Sequence, residues 1–315
     1  MTTQTITRRS WLKHSTAVGL AAAGLHVREK AAMADPSTTL RIIDPHVHVW
    51  KNDPRYPWPD DLKSPPKEDA LPETLLALMH EHGVEKTVIV HVIHYRWDCR
   101  YAADVVRAHP DQFMGVCRID PQGVKPASDL DRWAAQGYHG VRLSPALGPG
   151  GDWINDAKQM DAIWSHAARL KIPLCVLCPI GRIPDVEKVI ERHDGTLDVC
   201  IDHMADCPID QPDELKKLLR LARYPRVVVK LSHLWSLSQQ EYPYRDTHDQ
   251  VRRLYDAFGR ERLMWGTDWP GVEEFCGYAR ALALYRDEIK FFNDDDRKWI
   301  LGQTALKLWP FAKSS

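Results

Sequence analysis

The sequence predicts an α/β fold of the (β/α)8 barrel type, and two observations carry the prediction. Short β-branched runs alternate eight times with amphipathic stretches of helical length, the pattern of parallel strands joined by crossover helices. After the first run stands Asp44-Pro45-His46, where an open doubly wound sheet would place a glycine-rich phosphate loop. The chain has 315 residues, and the roughly 280 left once an N-terminal segment is set aside suffice for one such barrel, although they would also make two smaller domains.

The elements are expected in pairs. Leu40–Ile43 leads through a proline-rich loop, 51–70, to a helix at Glu73–His82. Lys86–Val92 is followed by Tyr101–His109, Phe113–Ile119 by Ala127–Gln136, Gly140–Leu143 by Ala157–Leu170, and Pro173–Leu177 by Pro184–His193. Leu197–Ile201 then precedes Asp213–Arg223, Val227–Leu231 precedes His248–Phe258, and Leu263–Trp265 precedes Glu273–Ile289. The 51–70 loop carries Tyr56, Trp58 and several acids; it reads equally as a cover over the barrel mouth or as a surface excursion anchored by its aromatic residues.

Lysine and arginine number 42 against 43 acids, 44% of residues are hydrophobic, and the mean hydropathy is -0.42. A disordered, collagen-like or membrane-spanning chain is excluded, and nothing suggests a nucleic-acid binder. Residues 1–34 hold five of the basic residues and one acid, so the remainder carries a net charge of -5. Within that segment Thr7-Arg8-Arg9-Ser10-Trp11-Leu12-Lys13 precedes a weakly apolar run, Ala17 to Leu25, and Ala32-Met33-Ala34 offers a small-x-small cleavage pattern. This resembles a twin-arginine export signal, which implies a periplasmic or secreted protein. The apolar run is too short for stable membrane insertion. The chain is therefore divided into a signal, 1–34, and a single barrel domain, 35–315; nothing in it specifies an oligomeric state.

The seven cysteines, at 99, 117, 175, 178, 200, 207 and 276, are odd in number and irregularly spaced, which is not a disulfide framework. Cys175-x-x-Cys178 lies in an apolar run that reads as a strand. Positions three apart on a strand face opposite sides, so the pair reads as core packing rather than a metal or redox site.

Chemistry collects where the strands end, because all eight C-terminal ends of such a barrel open on one face. Strand 1 ends in Asp44-Pro45-His46-Val47-His48, strand 2 in His91 with His94 nearby, strand 3 in Arg118 and Asp120, and strand 4 in Arg142 and Ser144. Strand 6 ends in Asp202-His203, strand 7 in Lys230, Ser232 and His233, and strand 8 in Gly266-Thr267-Asp268. Polar caps explain one such end but not seven. His46 and His48, two apart on extended chain, project to the same side and can share a metal or an anionic substrate.

Asp44-Pro45-His46-Val47-His48-Val49-Trp50, Ile201-Asp202-His203-Met204, Val229-Lys230-Leu231-Ser232 and Leu263-Met264-Trp265-Gly266-Thr267-Asp268-Trp269-Pro270 together resemble the amidohydrolase-related proteins, most closely their sugar-lactonase branch of fuconolactonase type. The resemblance spans about Arg41 to Pro310. It implies a TIM barrel and hydrolysis, with Asp268 as the base that activates water, His46 and His48 as the strand 1 pair, and His203 beside the substrate. Two departures stand out. Metal-dependent members carry a histidine at the end of strand 5, where this chain has Cys175, Cys178 and Ile180; and His233 follows the strand 7 serine, where the branch usually has glycine.

Two cofactor states follow from the resemblance: one divalent metal of the zinc type held by His46, His48 and Asp268, or a metal-independent site. Ester hydrolysis also needs groups that hold the ring and any carboxylate. Arg118, Arg142, Lys230, His91 and His233 are the candidates for contact with a small-molecule substrate. For Arg118, Arg142 and Lys230 the alternative is a structural ion pair with Asp120, Asp202 or a neighbouring acid, and Asp202 reads as a residue that orients His203 or a loop. The leading expectation is a hydrolase that opens a lactone or similar cyclic ester, with Asp268 and His203 as its catalytic pair. A zinc-dependent decarboxylase or other metal-dependent hydrolase of the same superfamily, and a noncatalytic sugar-acid binding protein, are the alternatives.

Overall fold

The computed structural model describes residues 40–145, 154–193 and 195–311; the twin-arginine motif and cleavage pattern lie outside them. Eight parallel strands form one sheet in chain order: β1 (Ile42–Val47), β2 (Val84–Val90), β3 (Phe113–Arg118), β4 (Tyr138–Leu143), β5 (Leu174–Val176), β6 (Val199–Ile201), β7 (Val227–Lys230) and β8 (Leu263–Met264). The sheet curls until its first and last strands meet. Val47 and Trp269 form a parallel bridge, His48 N–H donates to the Trp269 carbonyl at 2.7 Å, and Asp268 N–H donates to the His46 carbonyl at 2.9 Å. The expected barrel is the observed one.

Around it run α1 (Pro72–His82), α2 (Arg100–Ala108), α3 (Pro126–Ala135), α4 (Ala157–Leu170), α5 (Ile183–His193), α6 (Leu215–Leu219), α7 (Leu234–Leu237), α8 (His248–Phe258), α9 (Gly277–Ala283), α10 (Asp294–Lys298) and α11 (Thr304–Leu308). Local signals set several ends: Pro72 and Pro126 open helices that need no N–H there, and Asp156 caps α4 by accepting from Gln159 N–H. No described helix is long and apolar enough to cross a membrane.

The period-two alternation of the strands divides the core. Ile89, Cys117, Val141, Val176, Ile201, Val229 and Leu263 face outward into the large cluster shared with the helices. Val88, Val90, Met114, Val116, Cys175, Cys200, Val228 and Met264 form a second cluster inside the barrel. Cys175 and Cys178 fall into different clusters, as expected for positions three apart. The floor of the inner cluster is Ala305, Leu308 and Trp309 from the end of the chain. This segment packs so closely on β1 that a Cβ at Gly302 would lie 2.1 Å from the Arg41 carbonyl oxygen.

Several boundaries differ from expectation. The first strand does not stop at Ile43 but continues through Val47, because Pro45 is absorbed in a bulge: Asp44 pairs with Thr87 and Val47 with Ile89, three steps against two. The helix expected at Asp213–Arg223 is α6 followed by a 3-10 turn, Arg220–Arg223. The one expected at Glu273–Ile289 divides into a 3-10 turn (Gly271–Glu274), α9 and a π turn (Leu284–Glu288), with Gly277 at φ +77° at the break. Helices α10 and α11, joined by a π turn, had no counterpart in the sequence reading.

The 51–70 loop is tied at its base by reciprocal backbone hydrogen bonds between Trp50 and Ala70. Trp58 stacks on Tyr95 with centroids 4.3 Å apart, Tyr95 O–H donates to the Lys51 carbonyl, and Arg96 pairs with Asp61. Its aromatic residues thus anchor it to the loop after β2.

Candidate active site

Continued beyond the apolar layers, the same alternation brings the polar strand ends to one mouth. On β3 Arg118 follows Met114 and Val116; after β6 Asp202 follows Cys200; on β7 Lys230 and then Ser232 follow Val228; past β8 Gly266 and Asp268 follow Met264. On β1 the bulge at Pro45 changes the parity, so Ile43 and then His46 and His48 face inward. Gly266 leaves room for this, since a Cβ there would stand 3.1 Å from the Cβ of His46.

Asp268 is the hub. Its Oδ1 lies 3.3 Å from His46 Nε2 and 3.1 Å from His48 Nε2, and its Oδ2 accepts from His233 Nε2 at 2.8 Å. The side chains of Asp268, His48 and His233 retain 13%, 14% and 19% exposure while His46 retains none, so the first three border the open mouth. Burial works to raise the Asp268 pKa, but the hydrogen bond from His233 and the adjacent His48 ring outweigh it and hold the carboxyl well below the usual carboxylate range. His233 also faces Asp206, Nδ1 to Oδ1 at 3.4 Å; burial opposes its charge, yet the two acids raise it to about 9. Its ring lies flat on His203, with centroids 3.5 Å apart and 7° between the planes.

Backbone geometry marks the same residues. His203 (φ +51°), His233 (φ +70°) and Asp268 (φ +59°) all occupy the left-handed region, and Met204, Ala205 and Asp206 continue the turn begun at His203. Non-glycine residues enter that region at a cost of about 1–2 kcal/mol each, so the contacts around them must hold them there. The hydrogen bonds of His203 and His233 are such contacts.

A second centre lies deeper. Asp202 accepts from Arg142 Nε at 2.8 Å and forms an ion pair with Lys230 Nζ at 3.0 Å, all three being buried. Burial opposes the Asp202 charge, and Lys230 and then Arg142 overcome it, so the carboxyl stays ionised well below its ordinary range. Lys230 Nζ also lies 3.0 Å from His46 Nδ1 and 5.4 Å from the centre of the Trp309 ring. Arg142 Nη2 donates to His203 Nε2 at 3.3 Å; a guanidinium can only donate, so His203 Nδ1–H donates to Ser232 Oγ at 2.7 Å. Asp202 therefore binds Arg142 and Lys230, and Ser232 with Arg142 orients His203.

Arg118 stands apart. Its Nε donates to the His91 carbonyl at 3.1 Å and its Nη1 to Ser144 Oγ at 2.9 Å. His91 is buried and, through burial first and Arg118 second, lowered to about 3, so its ring is neutral. His94 sits between Trp50 and Trp58 in the loop contact.

The structure therefore brings together Asp268, His46, His48, His203, His233, Arg142 and Lys230, whereas Arg118 and His91 form a separate pair and Asp120 only accepts from the Gln122 backbone. Sequence reasoning missed Asp206, Ser232 and Ser144 as partners of site residues. Asp206 lies four residues past Asp202, and nothing but the turn geometry brings it to His233. Asp44, which stood in the strand 1 motif, is structural: it accepts from Thr267 Oγ at 2.6 Å and from the backbone of His46 and Thr267, tying β1 to the loop after β8.

Among the described residues four groups of donors lie close enough to hold a metal, and one of them is the expected set. His46, His48 and Asp268 offer ligand atoms within 4.8 Å of one another, and His46 Nε2 and Asp268 Oδ1 are buried without hydrogen-bond partners. The Val90 carbonyl, 2.7 Å from His48 Nδ1, can only accept, so Nδ1 carries a proton and Nε2 is the ring atom turned towards Asp268 Oδ1. A ring nitrogen and a carboxylate oxygen at that spacing call for a cation or a proton between them. His46 suits either, since its Nδ1 has Lys230 as donor at 3.0 Å and Asp202 Oδ1 as acceptor at 3.7 Å.

Comparison with known proteins gives a consistent picture. A family model described as amidohydrolase matches residues 43–311. An L-fucono-1,5-lactonase of Burkholderia ambifaria is 28% identical over 287 residues, 87% of this chain and 97% of that protein. A 4-sulfomuconolactone hydrolase of Hydrogenophaga intermedia is 28% identical, covering 72% of this chain and 74% of that protein. Among solved structures, a probable 2-pyrone-4,6-dicarboxylic acid hydrolase from Acinetobacter baumannii with citric acid bound superposes with a TM-score of 0.74 at 19% identity, over 86% of this chain and all of that one.

Proposed function

The chain belongs to the amidohydrolase family, and from that premise we propose that it is a hydrolase that opens the ester bond of a lactone. The observation that carries the reading is the ionised Asp268, held at the mouth by His233 through one oxygen and presenting the other beside His46 and His48. The lactonase and lactone hydrolase among its relatives support the bond type.

In this mechanism a water hydrogen-bonded to Asp268 Oδ1 attacks the lactone carbonyl carbon as the carboxylate takes its proton. Negative charge then gathers on the carbonyl oxygen, where Arg142, held in place by Asp202 and by the Ser232-oriented ring of His203, supplies positive potential fixed in advance. Collapse breaks the ring C–O bond, and the alkoxide takes the proton from Asp268, giving a hydroxy acid. When a zinc-type ion is bound, His46, His48 and Asp268 would hold it and it would lower the pKa of its water. The decarboxylase alternative has no comparable support, since β5 contributes Cys175 to the apolar cluster and no histidine.

A pH-indicator screen of sugar-derived and carboxylated lactones, with and without chelator, tests the reading. Acid release that depends on the protein supports it; ligand binding without turnover across the panel would leave the binding-protein alternative. We further propose that residues 1–34 direct twin-arginine export. Replacing Arg8 and Arg9 by lysine should then retain the protein in the cytoplasm, and unchanged export in that variant counts against it.

A further inference from the structure

Arg118 is an anomaly among the buried charges. It is 2% exposed, and among the described residues its side chain touches only neutral groups, the His91 carbonyl and Ser144 Oγ. No described carboxylate lies within ion-pair distance of it, although Arg142 and Lys230 share Asp202 immediately alongside. Asp120, the acid nearest in sequence, instead accepts from the backbone N–H of Gln122. Burying a guanidinium without a counter-charge is expensive, and proteins ordinarily pair it or move it to water. Burial, and after it repulsion from Arg142, depresses Arg118 to about 9, a low value for a guanidinium. Beside it the Nε2 of His91, 1% exposed, has no hydrogen-bond partner.

The balance of the whole group points the same way. Asp202 is one carboxylate against two cations, and Asp268 is already engaged by His233. Arg118 adds a third cation to the buried strand ends, so a bound anion would reduce the excess of positive charge. Its place also matters: Arg118 ends β3 and Ser144 follows β4, on a different part of the ring of strands from β8 and β1, where Asp268, His46 and His48 stand. A ligand reaching both sides would present its reacting carbonyl to Asp268 and an acidic group to Arg118.

We propose that Arg118, with Ser144 and His91, binds a carboxylate on the substrate, so that the substrate class is a lactone whose ring carries an acidic substituent. This rests on the lactone-hydrolase reading for the reaction but makes a separate claim about recognition. A guanidinium matches a carboxylate through paired N–H donors, and a neutral hydroxyl in the same place would leave the charge uncompensated.

Two measurements on the full chain separate the claims. In the first, wild-type protein is titrated calorimetrically with tetrahydrofuran-2-carboxylate and with its carboxamide, neither of which has a lactone bond to open. The acid should bind at least about tenfold more tightly, and Arg118→Met should erase the difference, with Arg118→Lys intermediate. In the second, turnover of 5-oxotetrahydrofuran-2-carboxylate is compared with that of its carboxamide. Selective binding of the acid without turnover of either lactone supports the carboxylate site and removes the hydrolase reading. Turnover of both lactones at equal efficiency keeps the hydrolase and overturns the carboxylate site. Equal affinity for acid and amide, or no binding of the acid, also overturns it; the wild-type comparison decides this even if Arg118→Met fails to fold.

Discussion

Asp268 Oδ2 accepts a 2.8 Å hydrogen bond from His233 Nε2, which leaves Oδ1 as the atom turned towards His46 and His48. The carboxylate is thereby held by one oxygen and used by the other, a division that gives each variant below a defined expectation.

Asp268→Asn keeps the size and one acceptor atom but removes the base. Turnover should fall by about 10²–10⁴, the usual contribution of a positioned general base. The thermal midpoint should move by less than about 4 °C, since the surrounding contacts survive. Full activity in this variant would remove Asp268 from the mechanism.

His233 links stability to pH. Its pKa in the fold, about 9, lies above the ordinary value of 6.5 because Asp206 and Asp268 outweigh the opposing effect of burial. Folding therefore favours the charged form. The stabilisation is complete below about pH 6.5 and is lost as the pH rises through about 9. Thermal melts of wild type and His233→Asn should differ most near about pH 6 and converge by about pH 10; a gap that widens with pH would reverse the sign.

Asp202→Ala leaves Arg142 and Lys230 buried without their shared partner. A loss of about 3–5 kcal/mol is expected in urea denaturation, and adding Lys230→Met should recover part of it. Additive losses would show that the two residues are not coupled through this contact.

Equilibrating the protein with zinc should load one ion per chain, lost in His48→Ala and retained in the surface control His166→Ala. Elemental analysis after gel filtration reads the result. Equal zinc in both variants would place any ion away from the three donors.

The barrel was legible because its strands are dense in valine and isoleucine and alternate with amphipathic helices, a signal carried within each short window. The polar strand ends were legible for the same reason, since parity along a strand is local. The bulge at Pro45 was not: a proline reads as the end of a strand, whereas here it sits where β1 takes three steps against two of β2. Helices α10 and α11 escaped notice because three consecutive aspartates open the segment and a π turn breaks its period. Within the site, the choice between ion pair and substrate contact for Arg118, Arg142 and Lys230 could not be read locally. It depends on Asp202, which is 60 residues from Arg142 and meets Lys230 only because β6 and β7 are neighbours.

The turns around Gly302 and Trp309 bear on how the barrel is closed. Trp309 forms the floor beneath Lys230, the Trp265 indole donates to the carbonyls of both Ile43 and Leu301, and Gly302 presses against Arg41. The first strand and the last turns of helix thus hold each other in place. Loosening either one would open the inner cluster from below, so closing the barrel and seating these turns are a single structural event.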